Sequence, residues 1–183
     1  MAKTYIPSTS FNLIYPVLLT GMAWVIFPEK SSGSLITKNG IIIGSSQIGQ
    51  KFNSSVYFRS RPSAVDYNPV PSAASNFGPT STKLTALVHE RRNTFSVENN
   101  IQDTIPIPAD MLFASGSGLD PHTSVKAARM QVKRIVSARN FDSSQEQKLY
   151  DLINNLTQKP QFGILGEERI NILRLNMELD SIN

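Results

Sequence analysis

No cysteine occurs among the 183 residues. That excludes a disulfide framework, a cysteine nucleophile, an iron–sulfur centre and any thiolate zinc site. It leaves the compartment open, because cysteine-free chains occur on both sides of a membrane. Histidine is nearly as scarce: His89 and His122 lie in separate segments and form no His-x-x-x-His pair, so no metal site is expected. Glu167 and Glu168 are adjacent, and neighbouring side chains point to different sides of any regular element instead of converging as an acid–base pair. Charge is sparse, at 17% of residues where soluble chains carry about a quarter. With 40% hydrophobic residues, the chain is nonetheless too apolar for a disordered one. The net charge of +4 invites a nucleic-acid reading, but the excess sits in residues 31–100, as seven scattered positives against three negatives. The pairs Arg91-Arg92 and Lys133-Arg134 fall on predicted helices, where a solvated polar face is the ordinary role. No basic block is interleaved with aromatics, so no nucleic-acid partner is expected.

Apolar residues are concentrated at the start. Ser8 to Pro28 carries no charge, and as a helix it would extend about 31 Å, close to the thickness of a bilayer's hydrocarbon. Trp24 and Phe27 near one end, with Tyr5 and Phe11 near the other, fit interfacial aromatic rings. Pro16 and Gly21 are tolerated in a membrane span. The run lacks the small-x-small cleavage site of a signal peptide and the polar face expected of a helix packed on a core. Residues 1–30 are thus expected to form a segment with a transmembrane anchor over about 8–28. Lys3 and the initial amine place the N-terminus in the cytoplasm, and residues 31–183 outside it, in the cytoplasmic (inner) membrane of the cell.

The remaining 31–183 has the size of one domain. Ser31 to Ser34 reads as a linker, and Asn39-Gly40 before Ile41-Ile42-Ile43 predicts a hairpin between two strands within Leu35–Gly44. Val56–Arg59 is a further strand candidate. Arg61 to Pro79 holds four prolines and can be neither a regular helix nor a central strand. Three helices follow from apolar spacing: Ser81 to about Ser96; Val125–Ala138 after a turn at Asp120–Ser124; and one starting at Ser143, capped by Ser143 with Glu146 and carrying Leu149, Leu152, Ile153 and Leu156. Arg169–Leu173 reads as a strand before a short terminal helix. The fold class expected is α+β, or α/β, behind a single transmembrane helix.

Two stretches tempt a catalytic reading. Gly44–Lys51 approaches a phosphate loop, but Gln50 stands where the lysine is needed and Lys51 where the hydroxyl is needed; a turn between strands is the better reading. Ala114–His122 gathers Ser115, Ser117, Asp120 and His122, yet neither serine has the Gly-x-Ser-x-Gly spacing of a nucleophile elbow. A glycine-rich turn leading to a helix cap at Ser124 explains the stretch, and its backbone amides could still receive an anion.

The chain closely resembles the C subunits (KdpC) of the Kdp potassium-transporting P-type ATPases. The resemblance is carried by Gly44-Ser45 with Ile48-Gly49-Gln50 and Phe52, Tyr57-Phe58 with Arg61-Pro62-Ser63-Ala64, Tyr67-Asn68-Pro69, Ser75-Asn76 and Pro108 to Asp120. Further on it includes Gln131-Val132 through Ala138-Arg139, Asn171-Ile172, Leu175-Asn176 and Leu179-Asp180. It implies a non-catalytic subunit of an ATP-driven high-affinity potassium pump, with no catalytic residue and no resident cofactor of its own. ATP would be met only through the complex. The partners implied are the lipid bilayer, a potassium-translocating A subunit, an ATP-hydrolysing B subunit and a small F subunit. Its implied action is that of a catalytic chaperone, which assists assembly and raises the B subunit's affinity for ATP. Where the family commonly reads Ser-Gly-Gly-Ser-Asn, this chain has Ser72-Ala73-Ala74-Ser75-Asn76, so contacts that need glycine's left-handed backbone are in question there. Arg61, Asn76, Ser115, Ser117, Asp120 and His122 are the candidates for interface or loop-ordering roles. A membrane-anchored ligand-binding or sensory module, and a hydrolase built on Ser115 and His122, are the competing readings.

Overall fold

A computed structural model describes residues 8–182, with side chains from Asn12 onward. Tyr5, Lys3 and the initial amine, on which the N-terminal end of the expected anchor and its orientation depend, lie outside the described residues, as does the Phe11 side chain. The chain forms two compact units, 1–47 and 48–183.

In the first unit, helix α1 (Ser8–Ile26) contains Pro16. Among its described side chains all but Ala23 are exposed. Among the described residues no helix is long and apolar enough to cross a membrane. A single turn, α2 (Pro28–Ser31), precedes strands β1 (Leu35–Lys38) and β2 (Ile41–Ser45). They pair antiparallel around Asn39 and Gly40, both at positive φ, which is the hairpin that Asn-Gly dictates.

The second unit contains α3 (Thr82–Glu98), a 3-10 turn (Ala109–Met111), β3 (His122–Ser124), α4 (Val125–Arg139), α5 (Ser143–Leu156), β4 (Arg169–Asn171) and α6 (Ile172–Leu179). Strands β3 and β4 pair antiparallel, His122 opposite Asn171. The core joins Ala128, Val132 and Ile135 of α4, Leu149 and Ile153 of α5, Ile170, Ile172, Leu175 and Leu179 near the C-terminus, and Phe58. A smaller cluster places Phe95, Ile107, Met111 and Ala127 together.

Several expectations are corrected. Val56–Arg59 is not a strand, although Phe58 is fully buried. The backbone polar groups of Phe58 and Arg59 are met by side-chain amides instead of a sheet neighbour. Asn176 accepts from Phe58 N at 2.8 Å and donates to Phe58 O at 2.9 Å, and Gln131 accepts from Arg59 N at 2.7 Å. The strand expected over Arg169–Leu173 stops at Asn171, whose side chain accepts from Arg174 N and starts α6. Helix α5 has its capping box one residue earlier than expected, between Asp142 and Gln145. The turn after β2 leads to no further strand; Gly49 N instead donates to Leu119 O at 2.7 Å.

The arginine pairs are not merely solvated either. Arg91 donates to Leu112 O and Arg92 to Asp103 O, each at 2.8 Å. Arg134 donates to Asn99 Oδ1, Gln131 Oε1 and the carbonyls of Ser55 and Tyr57. Burial, with Arg59 nearby, pushes its guanidinium down to about 10, against the pull of Glu98. An arginine fork that fits four acceptors is a structural clamp.

Candidate functional site

Three separate loops converge at the start of β3. The close approach is possible because residue 49 has no side chain: a Cβ there would lie 2.7 Å from Asp120 O and 2.8 Å from the Tyr67 ring. At Gly118, with φ +70, a Cβ would lie 2.7 Å from Val65 Cγ2 and 3.0 Å from Ala73 O. Ser63 Oγ accepts from Val65 N and Tyr67 N, folding the proline-rich stretch back on itself. The Tyr67 hydroxyl donates to Arg61 O. Burial pushes this phenol up to about 12, with the nearby Asp120 and Asp66 charges adding to the rise.

Where the loops meet, Arg61 Nη1 donates to Asp120 Oδ2 at 2.9 Å. Asp120 Oδ1 accepts from His122 N at 3.0 Å and lies 3.3 Å from His122 Nδ1. Burial drives the Asp120 carboxyl up, but the His122 ring and backbone hydrogen bonds and the Arg61 charge outweigh it. The carboxyl is held below its usual range. Three of the candidates, Arg61, Asp120 and His122, are thus brought together. The others are not part of this contact. Ser115 is buried in the glycine-rich turn, Ser117 Oγ accepts from Leu119 N, and Asn76 is exposed with φ +54. Neither Ala73 nor Ala74 has a positive φ, so alanine suits the backbone there and the left-handed position falls on Asn76.

Sequence reasoning missed Asp110. Its carboxylate accepts from Thr123 Oγ1 at 2.7 Å, Ser124 N at 2.6 Å and Ser124 Oγ at 3.1 Å. It ties the 3-10 turn to β3 and to the N-cap of α4. Tyr67 and Gly49 were visible only as members of motif blocks, with no chemical signature of a role. An open cleft of about 890 Å³ adjoins the cluster, lined by Arg61, Asp110, Asp120, His122, Lys126 and Glu168 among others. His122 faces Asp120, and the Ser117 hydroxyl accepts from the backbone of its own turn. The arrangement is suited to fixing loops and presenting charge.

Residues 4–181 match the family model described as K+-transporting ATPase, c chain. The chain belongs to the KdpC family. A Cereibacter sphaeroides protein named potassium-transporting ATPase KdpC subunit is 43% identical over 170 residues, spanning 93% of this chain and 88% of the relative. Proteins of the same name from Gemmatimonas aurantiaca and Mycobacterium bovis are 42% identical over 175 residues (94% and 85% of the two chains) and 40% identical over 173 residues (93% and 90%). As a KdpC chain, it is a subunit of a membrane-associated potassium-transporting ATPase. The motif blocks that carried the resemblance meet in space: Gly49, Arg61, Tyr67, Gly118 and Asp120 come from four of them.

Proposed function

We propose that this KdpC chain is a non-catalytic accessory subunit that assists assembly of the pump and raises its catalytic subunit's affinity for ATP. Its partners in this reading are a potassium-translocating A subunit, an ATP-hydrolysing B subunit and a small F subunit. The observation that carries the reading is the match to KdpC proteins over nearly the whole chain. The cluster of Arg61, Asp120 and His122, which ties together loops from distant parts of the chain, supports the assembly part of the reading. In the same reading α1 is the single membrane anchor, with the N-terminus cytoplasmic and residues 31–183 outside. Its apolar side chains are exposed all round, including Leu13, Val17, Trp24 and Val25, as suits a helix solvated by lipid and by other helices. An outside domain cannot touch cytoplasmic ATP, so its effect on ATP affinity would be a coupling through contacts that differ between two states of the pump.

The test is the ATP dependence of potassium-stimulated hydrolysis by the pump, purified with and without this chain. The expected result is poorer assembly and a several-fold higher ATP requirement in its absence. Unchanged assembly and ATP dependence would sink the proposal. The open cleft beside Arg61 and His122 favours a second reading, an extracytoplasmic ligand-binding or sensory module. That reading requires a small solute to raise the thermal midpoint of the isolated chain.

A further inference from the structure

Strands β1 and β2 form a hairpin outside both buried clusters, which draw their residues from 52 onward. An isolated pair of strands is marginal in water, yet this pair is built largely from Leu35, Ile36, Ile41, Ile42 and Ile43. Leu35 is 54% exposed, Ile41 68% and Ile42 59%. Ile41 stands opposite Lys38 and Ile42 opposite Thr37. As neighbours in one strand, the two isoleucines point to opposite faces, so the hairpin shows apolar surface on both. Its base is fixed to the turn that follows α1. Phe27 N donates to Ala23 O at 2.8 Å and Ser31 N to Phe27 O at 2.9 Å, which carries the helical path into α2. Ser34 N then donates to Glu29 O at 2.9 Å, and Ser45 Oγ to Gly33 O at 2.6 Å.

We propose that this hairpin is a second membrane contact, embedded in the lipid headgroup layer beside the end of α1. The proposal rests on the reading of α1 as the anchor. Three observations choose lipid as the cover. The first is reach: the four residues of α2 add about 6 Å beyond α1, and a headgroup layer is about 5–7 Å deep, so the hairpin starts beside it. The second is charge. Pro28 to Gln47 carries Lys30 and Lys38 against Glu29, and the next carboxylate along the chain is Asp66; lysines suit anionic lipid phosphates. Lys30 Nζ lies 5.7 Å from the centroid of the Phe27 ring, with Trp24 one turn earlier in the helix, and aromatic rings with lysine mark a membrane interface. The third is the exposure on both faces. A protein groove covers one face of a hairpin, whereas a headgroup layer surrounds it and still supplies water to the polar turn at Asn39 and Gly40.

Trp24 is the one tryptophan and the chain has no cysteine, so anchor and hairpin can be probed separately. The full chain is reconstituted into vesicles of phosphatidylethanolamine and phosphatidylglycerol that carry nitroxide lipids. In the unlabelled chain, quenching of Trp24 by these lipids reports entry of α1. Ile41→Cys and Ile42→Cys are each labelled with an environment-sensitive fluorophore; both positions, and Lys38, are exposed. Both labels should emit at shorter wavelength in the vesicles and lose at least half their emission to shallow nitroxides, and less to deep nitroxides or aqueous iodide. Lys38→Glu should weaken the lipid quenching at position 42 at least twofold and leave that of Trp24 unchanged. With Trp24 quenched, three results would each overturn the hairpin proposal: labels open to iodide, lipid quenching on one face alone, or shielding that arises only when the pump's other subunits are present. An unquenched Trp24 would instead overturn the anchor reading beneath it.

Discussion

Asp120 is held from two directions, by Arg61 on one carboxylate oxygen and by the His122 backbone and ring on the other. Because its carboxyl is depressed in the folded chain, the unfolded chain binds a proton at higher pH than the native one does. The stabilisation is therefore complete above the ordinary carboxylate range, near 4. It is lost as pH falls through the lower folded value. Asp120→Asn keeps the size and an acceptor but loses the charge. It is expected to lower the urea midpoint at neutral pH and to flatten the acid limb of stability between about pH 5 and pH 2. Urea titrations of both proteins across that range provide the check; parallel curves would mean that the Asp120 carboxyl is not depressed by its neighbours.

At the scale of elements, the segment through Phe58 and Arg59 has the burial of a central strand without the strand. Asn176 of α6 satisfies both backbone groups of Phe58, while Gln131 of α4 spans Arg59 N and O. Leucine at 176 would leave a buried N–H and a buried C=O unmatched, each costing about 1–3 kcal/mol. Asn176→Leu is therefore expected to destabilise the chain by about 3 kcal/mol in equilibrium denaturation, despite its greater apolarity. A neutral or stabilising effect would show that water or a backbone shift replaces the amide. This segment also marks the limit of what the sequence discloses. Val-Tyr-Phe-Arg has the composition of a strand, and nothing local reveals that its partners will be two amides lying 72 and 118 positions away. The helices α4 and α5 were legible because their apolar spacing is local, and the first hairpin because Asn39-Gly40 sets its own turn. Of the candidate site, Asp120 and His122 were legible as near neighbours. Arg61 and Asp110 entered only through motif blocks, and nothing local pointed to Asp110's role, which depends on meeting Thr123 and Ser124 in space.

For the whole molecule, the division at 47/48 separates two different kinds of chain. Both hydrophobic clusters draw their residues from 52 onward, whereas the described side chains of α1 have no buried apolar face. The second unit is thus expected to fold without the first, and the solubility of the full chain should be governed by α1. Residues 48–183 expressed alone are expected to unfold in one cooperative transition, with a midpoint within about 3 °C of the full chain's, since a loss of 1 kcal/mol shifts a domain of this size by about 4 °C. They are expected to stay in the aqueous phase without detergent, while the full chain sediments with membranes and resists extraction by carbonate. Calorimetry and membrane fractionation read the two expectations separately. An unfolded 48–183 fragment would mean that residues 1–47 supply part of its core. A full chain released by carbonate would overturn the proposal that α1 is the anchor, and with it the proposed topology in which residues 31–183 lie outside the cytoplasmic membrane.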